Sequence, residues 1–215
     1  LGESIAASTV DALPDGNALS SFFGYDNGYD VDTTLNPSQG YWVKSDMDGS
    51  IIMSTSGFGK SNRNSVDVKA FNSITIEGKN GTKQTLYFGN DAEGTINLSA
   101  FELPPTSPHG VMDARFVSGR ILETYPAMLT TPAQFAIALK NTEGPVTMKW
   151  NIVSSDNKQF ILSEAKGNKT ITLKGSGDAQ MYKPSEMYFL TVTGGGVMPK
   201  EFSLSQNYPN PFNPS

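Results

Sequence analysis

Strict alternation of apolar and polar residues after Pro132 is the feature that most limits how this chain can fold. Successive side chains of a β-strand point to opposite faces, so an alternating run predicts a strand with one buried face. The apolar members of these runs are Phe135, Ile137 and Leu139; Val146, Met148, Trp150 and Ile152; Ile171 and Leu173; and Tyr188, Leu190 and Val192. Several such strands in succession predict an antiparallel β-sandwich, with Trp150 as one of its core anchors.

Strand-sized runs also fill much of the first half of the chain. They are "GYWVK", "SIIMST", "VDVKAF", "SITIEGK" and "TKQTLYFG", and each is bounded by Gly, Asn, Asp or Ser. Asn80 and Gly81 lie between the last two runs and tolerate the positive φ of a two-residue turn, which predicts a β-hairpin. The earlier stretch "PDGNALSSFFG" predicts one short helix instead, with Asp15 or Asn17 as its N-cap and Gly24 after its end.

These patterns predict an all-β fold with more than one unit. Because 215 residues are long for one sandwich, we expect two consecutive antiparallel β-sandwiches of the Ig-like type and a short extended C-terminal tail. The predicted boundaries are an N-terminal β-domain over residues 1–105, a proline-rich connector over 106–112, a sandwich over 113–193, a linker over 194–201 and a separate segment over 202–215.

Charge and composition exclude several classes of function. The net charge is −5 and the chain has three arginines, so no basic stripe could neutralise phosphates, and nucleic acid is not an expected partner. No apolar run approaches the roughly 18 residues of a membrane-spanning helix, so no membrane span is predicted. The absence of cysteine excludes disulfides and thiolate metal sites.

No set of residues indicates catalysis, and the prediction is that the chain has no catalytic residues. The single histidine, His109, lies between Pro108 and Gly110, and no GxSxG motif accompanies it. The carboxylates that a glycoside hydrolase would need are Asp26, Asp30, Asp32, Asp46 and Asp48, and all of them lie in turn-like surroundings. Aspartates in turns commonly cap their own backbone, which favours a structural role; a hydrolase stays as a further alternative.

Two binding hypotheses remain open. The segment "DMDG" places Asp46 and Asp48 in an oxygen-rich loop suited to a structural calcium ion, although the downstream glutamate of an EF-hand is missing. No other cofactor is predicted. The rings of Tyr25, Tyr29 and Trp42 could form a sugar platform, which makes a carbohydrate-binding module the main alternative function. Tyr41 and Trp42 are adjacent on a predicted strand and therefore point to opposite faces, so one ring is either covered or offered to a ligand.

The C-terminal sequence "FSLSQNYPNPFNPS" resembles the beginning of the C-terminal sorting domain of proteins exported by the type IX secretion system of Bacteroidetes-like bacteria. The matching residues are Tyr208, Pro209, Asn210, Pro211, Phe212, Asn213 and Pro214. That domain continues for further strands, so the chain is expected to hold only its start. The segments "NALSSFFGYDNGYDVDTTLNPSQGYWVK" and "GTKQTLYFG" also resemble parts of such exported proteins, whereas "LGESIAASTV" is a poor match to their usual first strand.

This resemblance implies a non-catalytic structural or adhesive region at the extracellular or outer-membrane surface of a bacterium. Its implied partner is the type IX secretion machinery. Copies of the chain itself and surface glycans are further partners that this reading leaves open.

Overall fold

The computed structural model of the protein describes residues 2–54, 66–106, 110–167 and 169–194. Within these ranges the chain forms sixteen β-strands, and its helical elements are short 3₁₀ helices. The predicted all-β class is therefore confirmed. No helix in this part of the chain is long and apolar enough to cross a membrane.

The strands fall into an N-terminal group and a sandwich group. The N-terminal strands are β1 (Ile5–Ala6), β2 (Asp11–Leu13), β3 (Phe22–Tyr25), β4 (Tyr29–Asp32), β5 (Thr34–Leu35) and β6 (Ser50–Ile52). The sandwich strands are β7 (Asn72–Glu77), β8 (Lys83–Asn90), β9 (Asp113–Phe116), β10 (Leu122–Tyr125), β11 (Ala133–Lys140), β12 (Val146–Asn151), β13 (Lys158–Glu164), β14 (Thr170–Leu173), β15 (Ser176–Met181) and β16 (Met187–Gly194). The 3₁₀ helices are Ala7–Thr9, Val68–Ala70, Lys79–Gly81 and Leu98–Phe101.

Two five-stranded sheets form the sandwich. The first has the order β10-β8-β7-β12-β15 and the second the order β14-β13-β16-β11-β9. Their inner faces share one core, in which the ring of Phe88 on the first sheet lies 5.3 Å from that of Phe160 on the second. The predicted alternation is seen in this core, where Ile137, Leu139, Val146, Met148, Leu173, Tyr188, Leu190 and Val192 are all buried.

The sheets do not follow the predicted boundary between two sandwiches. Strand β7, from the predicted first domain, pairs with β12 from the second, and Ile74 lies opposite Trp150. The hairpin β7–β8 therefore shares one sheet and one core with the later strands, because an edge left unpaired by its neighbour in sequence is satisfied by a distant strand. One sandwich replaces the expected pair. Its pairing is also not wholly antiparallel, since β10 runs parallel to β8.

The predicted helix near residue 20 is wrong. Phe22 and Phe23 lie in β3, where consecutive side chains point to opposite sides. Phe22 is buried in a small cluster with Ile5, Val10 and Leu35, whereas Phe23 is buried in the sandwich core. Two adjacent buried aromatics with separate partners require an extended backbone, and this tertiary demand overrides the local helix signal.

Two of the shorter predicted strands also differ from expectation. The run "VDVKAF" contains the 3₁₀ helix Val68–Ala70, where the side chain of Asp67 accepts a hydrogen bond from the amide of Lys69. The run "GYWVK" contributes one isolated bridge, which joins Trp42 to Phe23. Both segments cover the sandwich as irregular chain.

The predicted hairpin between β7 and β8 is confirmed, but its turn is longer than two residues. The last strand pair is Glu77 with Lys83, and the amide of Gly78 donates to the carbonyl of Thr82 over 2.8 Å. The 3₁₀ helix Lys79–Gly81 fills the tip, and Gly81 has a φ of +76°. The glycine is therefore needed for positive φ, as predicted, within a wider loop.

Candidate functional site

An open cleft of about 490 Å³ lies between the hairpin β3–β4, residues 39–41 and the start of β8. Charged and aromatic side chains meet along its walls. They are Tyr25, Asp26, Tyr29, Asp30, Asp32, Tyr41 and Lys83. The cleft thus lies between the N-terminal strands and the sandwich.

Backbone contacts fix the hairpin against β8. The buried side chain of Gln84 bonds the backbone of Tyr29 twice. Its Oε1 accepts from the Tyr29 backbone N–H at 3.1 Å, and its Nε2 donates to the Tyr29 carbonyl at 2.8 Å. The amide of Lys83 donates to the carbonyl of Asn27 at 2.8 Å. Gly28 lies between these contacts, where a Cβ atom would overlap the carbonyl oxygen of Lys83. The absence of a side chain at Gly28 lets the two backbones approach.

Two of the three predicted platform residues, Tyr25 and Tyr29, are among the residues that line the cleft. Tyr25 has 55% of its surface exposed, and its ring lies 5.1 Å from that of Tyr29 at an interplanar angle of 71°. This is an edge-to-face pair, so the two rings do not form a flat shared surface. Tyr29 acts as a support that orients the more exposed ring of Tyr25.

The third predicted platform residue, Trp42, does not line the cleft. Its ring packs against the sandwich core with a centroid 6.2 Å from that of Phe23. Tyr41 points the other way and packs against the small N-terminal cluster, as the adjacency of the two residues predicted. Trp42 is therefore partly buried against the main core and does not line the cleft, whereas Tyr25 and Tyr29 do.

The hydroxyl of Tyr41 is fixed at the rim of the cleft. It accepts a hydrogen bond from the amide of Asn36 at 2.8 Å and lies 2.8 Å from the Gln39 side-chain oxygen, to which it donates. Both Gln39 and Tyr41 line the cleft. Polar groups on this side are thus held by local hydrogen bonds.

Three carboxylates also line the cleft. Asp30 accepts hydrogen bonds from the amide of Val31 at 2.9 Å and from the hydroxyl of Tyr87 at 3.1 Å. Burial, together with the nearby Asp30 charge, raises the pKa of Tyr87 above its usual range. Asp26 is exposed and pairs with Lys83 at 3.4 Å. Two of the three carboxylates are thus engaged by groups of the protein itself.

Asp32 is the carboxylate whose titration the cleft alters. Burial raises the pKa of Asp32, the charge of Asp30 raises it further, and Lys69 opposes the change. A carboxyl group with a raised pKa holds its proton more readily than a solvated one. The partly buried setting of Asp32 therefore disfavours the charged form of its carboxyl group.

The candidate calcium loop makes a structural contact. Asp46 accepts a hydrogen bond from the amide of Ala18 at 2.8 Å, and the neighbouring Ser45 hydroxyl donates to the Asn17 side chain at 2.8 Å. The side chain of Asp48 is exposed. Across the described ranges, no three His, Cys, Asp or Glu side chains come together in a way that could hold a metal ion. Asp46 therefore bonds a distant segment of the chain rather than capping its own turn.

Some predicted residues lie outside the described ranges, and some cleft residues were not predicted. His109 and the sorting residues 208–214 belong to the first group. Gln84, Lys83 and Gly28 belong to the second. Gln84 shares its strand face with the buried residues Leu86 and Phe88. A polar side chain at such an inward position needs a hydrogen-bond partner, so the sequence could have predicted a buried polar contact there.

Fold and cleft together define an all-β sandwich protein with an N-terminal β-hairpin that walls a surface cleft. Comparison of the chain with known protein families, with curated proteins and with solved structures finds no match.

Proposed function

We propose that this chain is a non-catalytic structural region of a protein exported by a type IX secretion system and displayed at the bacterial surface. The observation that carries the proposal is the sequence "NYPNPFNP", which follows the last strand of the sandwich. Three prolines restrict the backbone and lower the entropy lost on recognition, while Tyr208 and Phe212 provide apolar anchors. Such a segment suits a module that the export machinery recognises.

The topology of the sandwich supports a separate role for that segment. Strand β16 ends at Gly194 and occupies the centre of the second sheet, between β13 and β11. Its two neighbours, β13 and β11, both lie entirely within residues 113–194. Both sheet neighbours of β16 therefore precede the sorting residues in sequence, which suits an export signal placed after a folded passenger.

The hydrogen bonds of the cleft support the non-catalytic part of the proposal. A hydrolytic pair needs one carboxylate free to act as base or nucleophile and a second to act as acid. Here Asp30 is held by a backbone amide and by Tyr87, and Asp26 by Lys83. These partners favour a structural use of both groups.

Charge distribution supports association between copies as a second element of the surface role. Residues 2–54 carry eight acidic side chains and one lysine, whereas residues 133–194 carry seven lysines and five acidic side chains. The acidic region also exposes a set of large apolar side chains around the ribbon β2–β6: Leu13, Met47, Ile51, Ile52 and Met53. Lysines flank the edge strands β14 and β15, so the acidic region of one copy complements this edge of the next, in a head-to-tail contact.

Deletion of the motif tests the export proposal. The protein would be expressed in a bacterium with a type IX system, with and without the chain from Phe202 onward, and surface and periplasmic fractions would be compared. We expect the deletion variant to accumulate in the periplasm. A Tyr182→Ala variant, altered at an exposed tyrosine of the sandwich, controls for general effects of substitution. Normal surface delivery of the deletion variant would refute the sorting assignment.

Sedimentation velocity tests the association. We expect higher-order species at low salt that dissociate at high salt, because exposed ion pairs are screened. Lys174→Glu combined with Lys183→Glu should abolish them, whereas Lys140→Glu, on a different strand end, should not. A monomer at every salt and protein concentration would contradict the head-to-tail contact.

A further inference from the structure

The outer face of the second sheet is almost free of charge. Alternate residues of β14, β13, β16 and β11 belong to the sandwich core, so the residues between them face outward. These outward residues are Thr, Ser, Gln, Ala, Ile, Met and Phe, apart from Lys140 at the end of β11. A sheet face that meets water ordinarily alternates polar with apolar residues, and in this chain 17% of all residues are charged. The near absence of charge therefore distinguishes this face.

Apolar side chains form a row across the middle of this neutral face. The strand register places Val117, Ala136, Phe189 and Ser163 side by side on neighbouring strands. Val117 follows β9, and its amide donates to the carbonyl of Ala136 at 2.8 Å. The exposed fraction of Val117 is 58%, and that of Met187 in the next row is 36%. Apolar surface thus stays open to solvent on this side of the sandwich.

The acidic N-terminal region is attached to the other sheet. Tyr87 of β8 donates to Asp30 of the hairpin β3–β4, and Gln84 of the same strand bonds the backbone of Tyr29. Among the described residues, no N-terminal strand pairs with a strand of the second sheet. The carboxylates of residues 2–54 are therefore tied to the first sheet, and the neutral face belongs to the second.

A second copy of this chain is the partner that suits the neutral face. In a two-fold symmetric contact the same surface of both copies meets itself, so a charged face would bring like charges together. A neutral face avoids that repulsion. Contact through the second sheet also keeps the two acidic N-terminal regions apart, which matters for a chain with a net charge of −5. Twisted sheets pack face to face with their strands within about 30° of each other, as the two sheets of a sandwich do.

The area of the face limits the strength of such a contact. Five strands spaced about 4.8 Å apart and three rows of outward side chains about 7 Å apart cover about 500 Å² per copy. Two copies would then bury on the order of 1,000 Å², which is the lower limit for a specific interface. The expected dimer is therefore reversible and dissociates on dilution.

We infer that the outer face of the second sheet is a self-association surface, on which two copies pack sheet to sheet about a two-fold axis with Ala136 and Phe189 near its centre. This contact goes beyond the proposed export and display. It uses a neutral surface, so it does not depend on the sorting motif or on the charged head-to-tail contact.

Sedimentation velocity of the full 215-residue chain in concentrated salt tests the inference. In about 1 M sodium chloride the screening length is about 3 Å, so the exposed ion pairs of the head-to-tail contact are suppressed. We expect a monomer–dimer equilibrium that persists in this salt between micromolar and millimolar protein. Amide chemical shifts should change with protein concentration in residues 134–138, 159–163 and 187–193. A monomer at every concentration, or shifts confined to other strands, would overturn the inference.

Matched lysine substitutions locate the contact. Val117→Lys brings two like charges into the two-fold contact and should weaken dimerisation by about tenfold or more. Val153→Lys is its control, because Val153 is 56% exposed and lies outside the second sheet.

A second pair of variants places the charge nearer the centre of a sheet. Thr191→Lys, on β16, should also weaken dimerisation, whereas Thr147→Lys, on β12 of the first sheet, should leave it unchanged. Thermal melting verifies that each variant is folded, and Val117→Lys decides the question if Thr191→Lys is not. Equal dimerisation of a folded variant and its control would refute the assigned surface.

Discussion

Gly28 lies directly against the backbone of Lys83, so that a Cβ atom on the glycine would overlap the lysine carbonyl oxygen. This contact holds the hairpin β3–β4 against the start of β8 and forms one wall of the cleft. The obstacle is main chain rather than the end of a flexible side chain. A substitution must therefore move one of the two strands.

Gly28→Ala should consequently destabilise the protein by about 1–3 kcal/mol, the usual cost of forcing extra atoms into a packed site. Urea denaturation followed by circular dichroism measures the change. Gly40→Ala is the matched control, because no atom of the described residues lies within 4 Å of a Cβ at that cleft position. Equal stability of the two variants would show that the hairpin is not held as described.

Two buried tyrosines should respond oppositely to loss of their hydroxyl groups. The hydroxyl of Tyr87 donates to Asp30, whereas that of Tyr125 is buried without a hydrogen-bond partner among the described residues. Burial raises the pKa of Tyr125 to about 12. Tyr125→Phe should leave the free energy of unfolding unchanged or higher, while Tyr87→Phe should lower it by about 1–3 kcal/mol. Chemical denaturation of both variants decides the point, and a larger loss in Tyr125→Phe would contradict the assignment.

Trp150 contributes to the core as a partly buried residue rather than as the central anchor that the alternation predicted. Its side chain packs at the margin of the core, against the backbone of Gly177 on β15, and its ring N–H donates to the carbonyl of Lys174 at 3.3 Å. We expect Trp150→Ala to cost about 2 kcal/mol, less than the 3–5 kcal/mol of a fully buried tryptophan. Equilibrium unfolding measures it, with Tyr182→Ala as an exposed control. A loss of more than about 4 kcal/mol in the free energy of unfolding would show that Trp150 is a central core residue.

The raised pKa of Asp32 predicts a pH effect of definite sign. Because the folded-state pKa lies above the ordinary value of 3.8, the folded protein binds the proton more tightly than the unfolded chain. The free energy of unfolding should therefore fall as pH rises through the window above 3.8, and Asp32→Asn should remove that loss. At neutral pH the variant should be more stable than the parent, and the difference should shrink as pH falls towards 3.8. Denaturation across pH measures this.

The exposed Asp48→Asn variant is the control for the pH series. It changes the net charge by the same amount without altering the partly buried carboxyl group of Asp32. If Asp32→Asn and Asp48→Asn changed stability equally at every pH, the effect would be one of overall charge, and the local origin in burial and Asp30 would be refuted.

Much of the sandwich could be predicted because strand alternation is a local property. Ile137 and Leu139, or Leu190 and Val192, lie two residues apart and share a face whatever their partners are. The hairpin β7–β8 was predictable for the same reason, since its strands are close in sequence and Gly81 permits the turn. The helix predicted near Phe22 does not form, because Phe22 and Phe23 pack into two separate clusters on opposite sides of the chain. A local helix signal carries no information about such distant packing.

In the cleft, the sequence alone determined that Tyr25 and Tyr29 lie near Asp26 and Asp30, because a few residues of chain cannot separate them. Tertiary structure decided the rest. Gln84 and Tyr87 reach this hairpin across more than fifty residues of intervening chain, and Trp42 packs against Phe23 of the same hairpin. Likewise β7 pairs with β12 and unites the two expected sandwiches. Burial of apolar surface and satisfaction of backbone hydrogen bonds are summed over the whole molecule, so the choice among distant partners is not encoded in any short stretch of sequence.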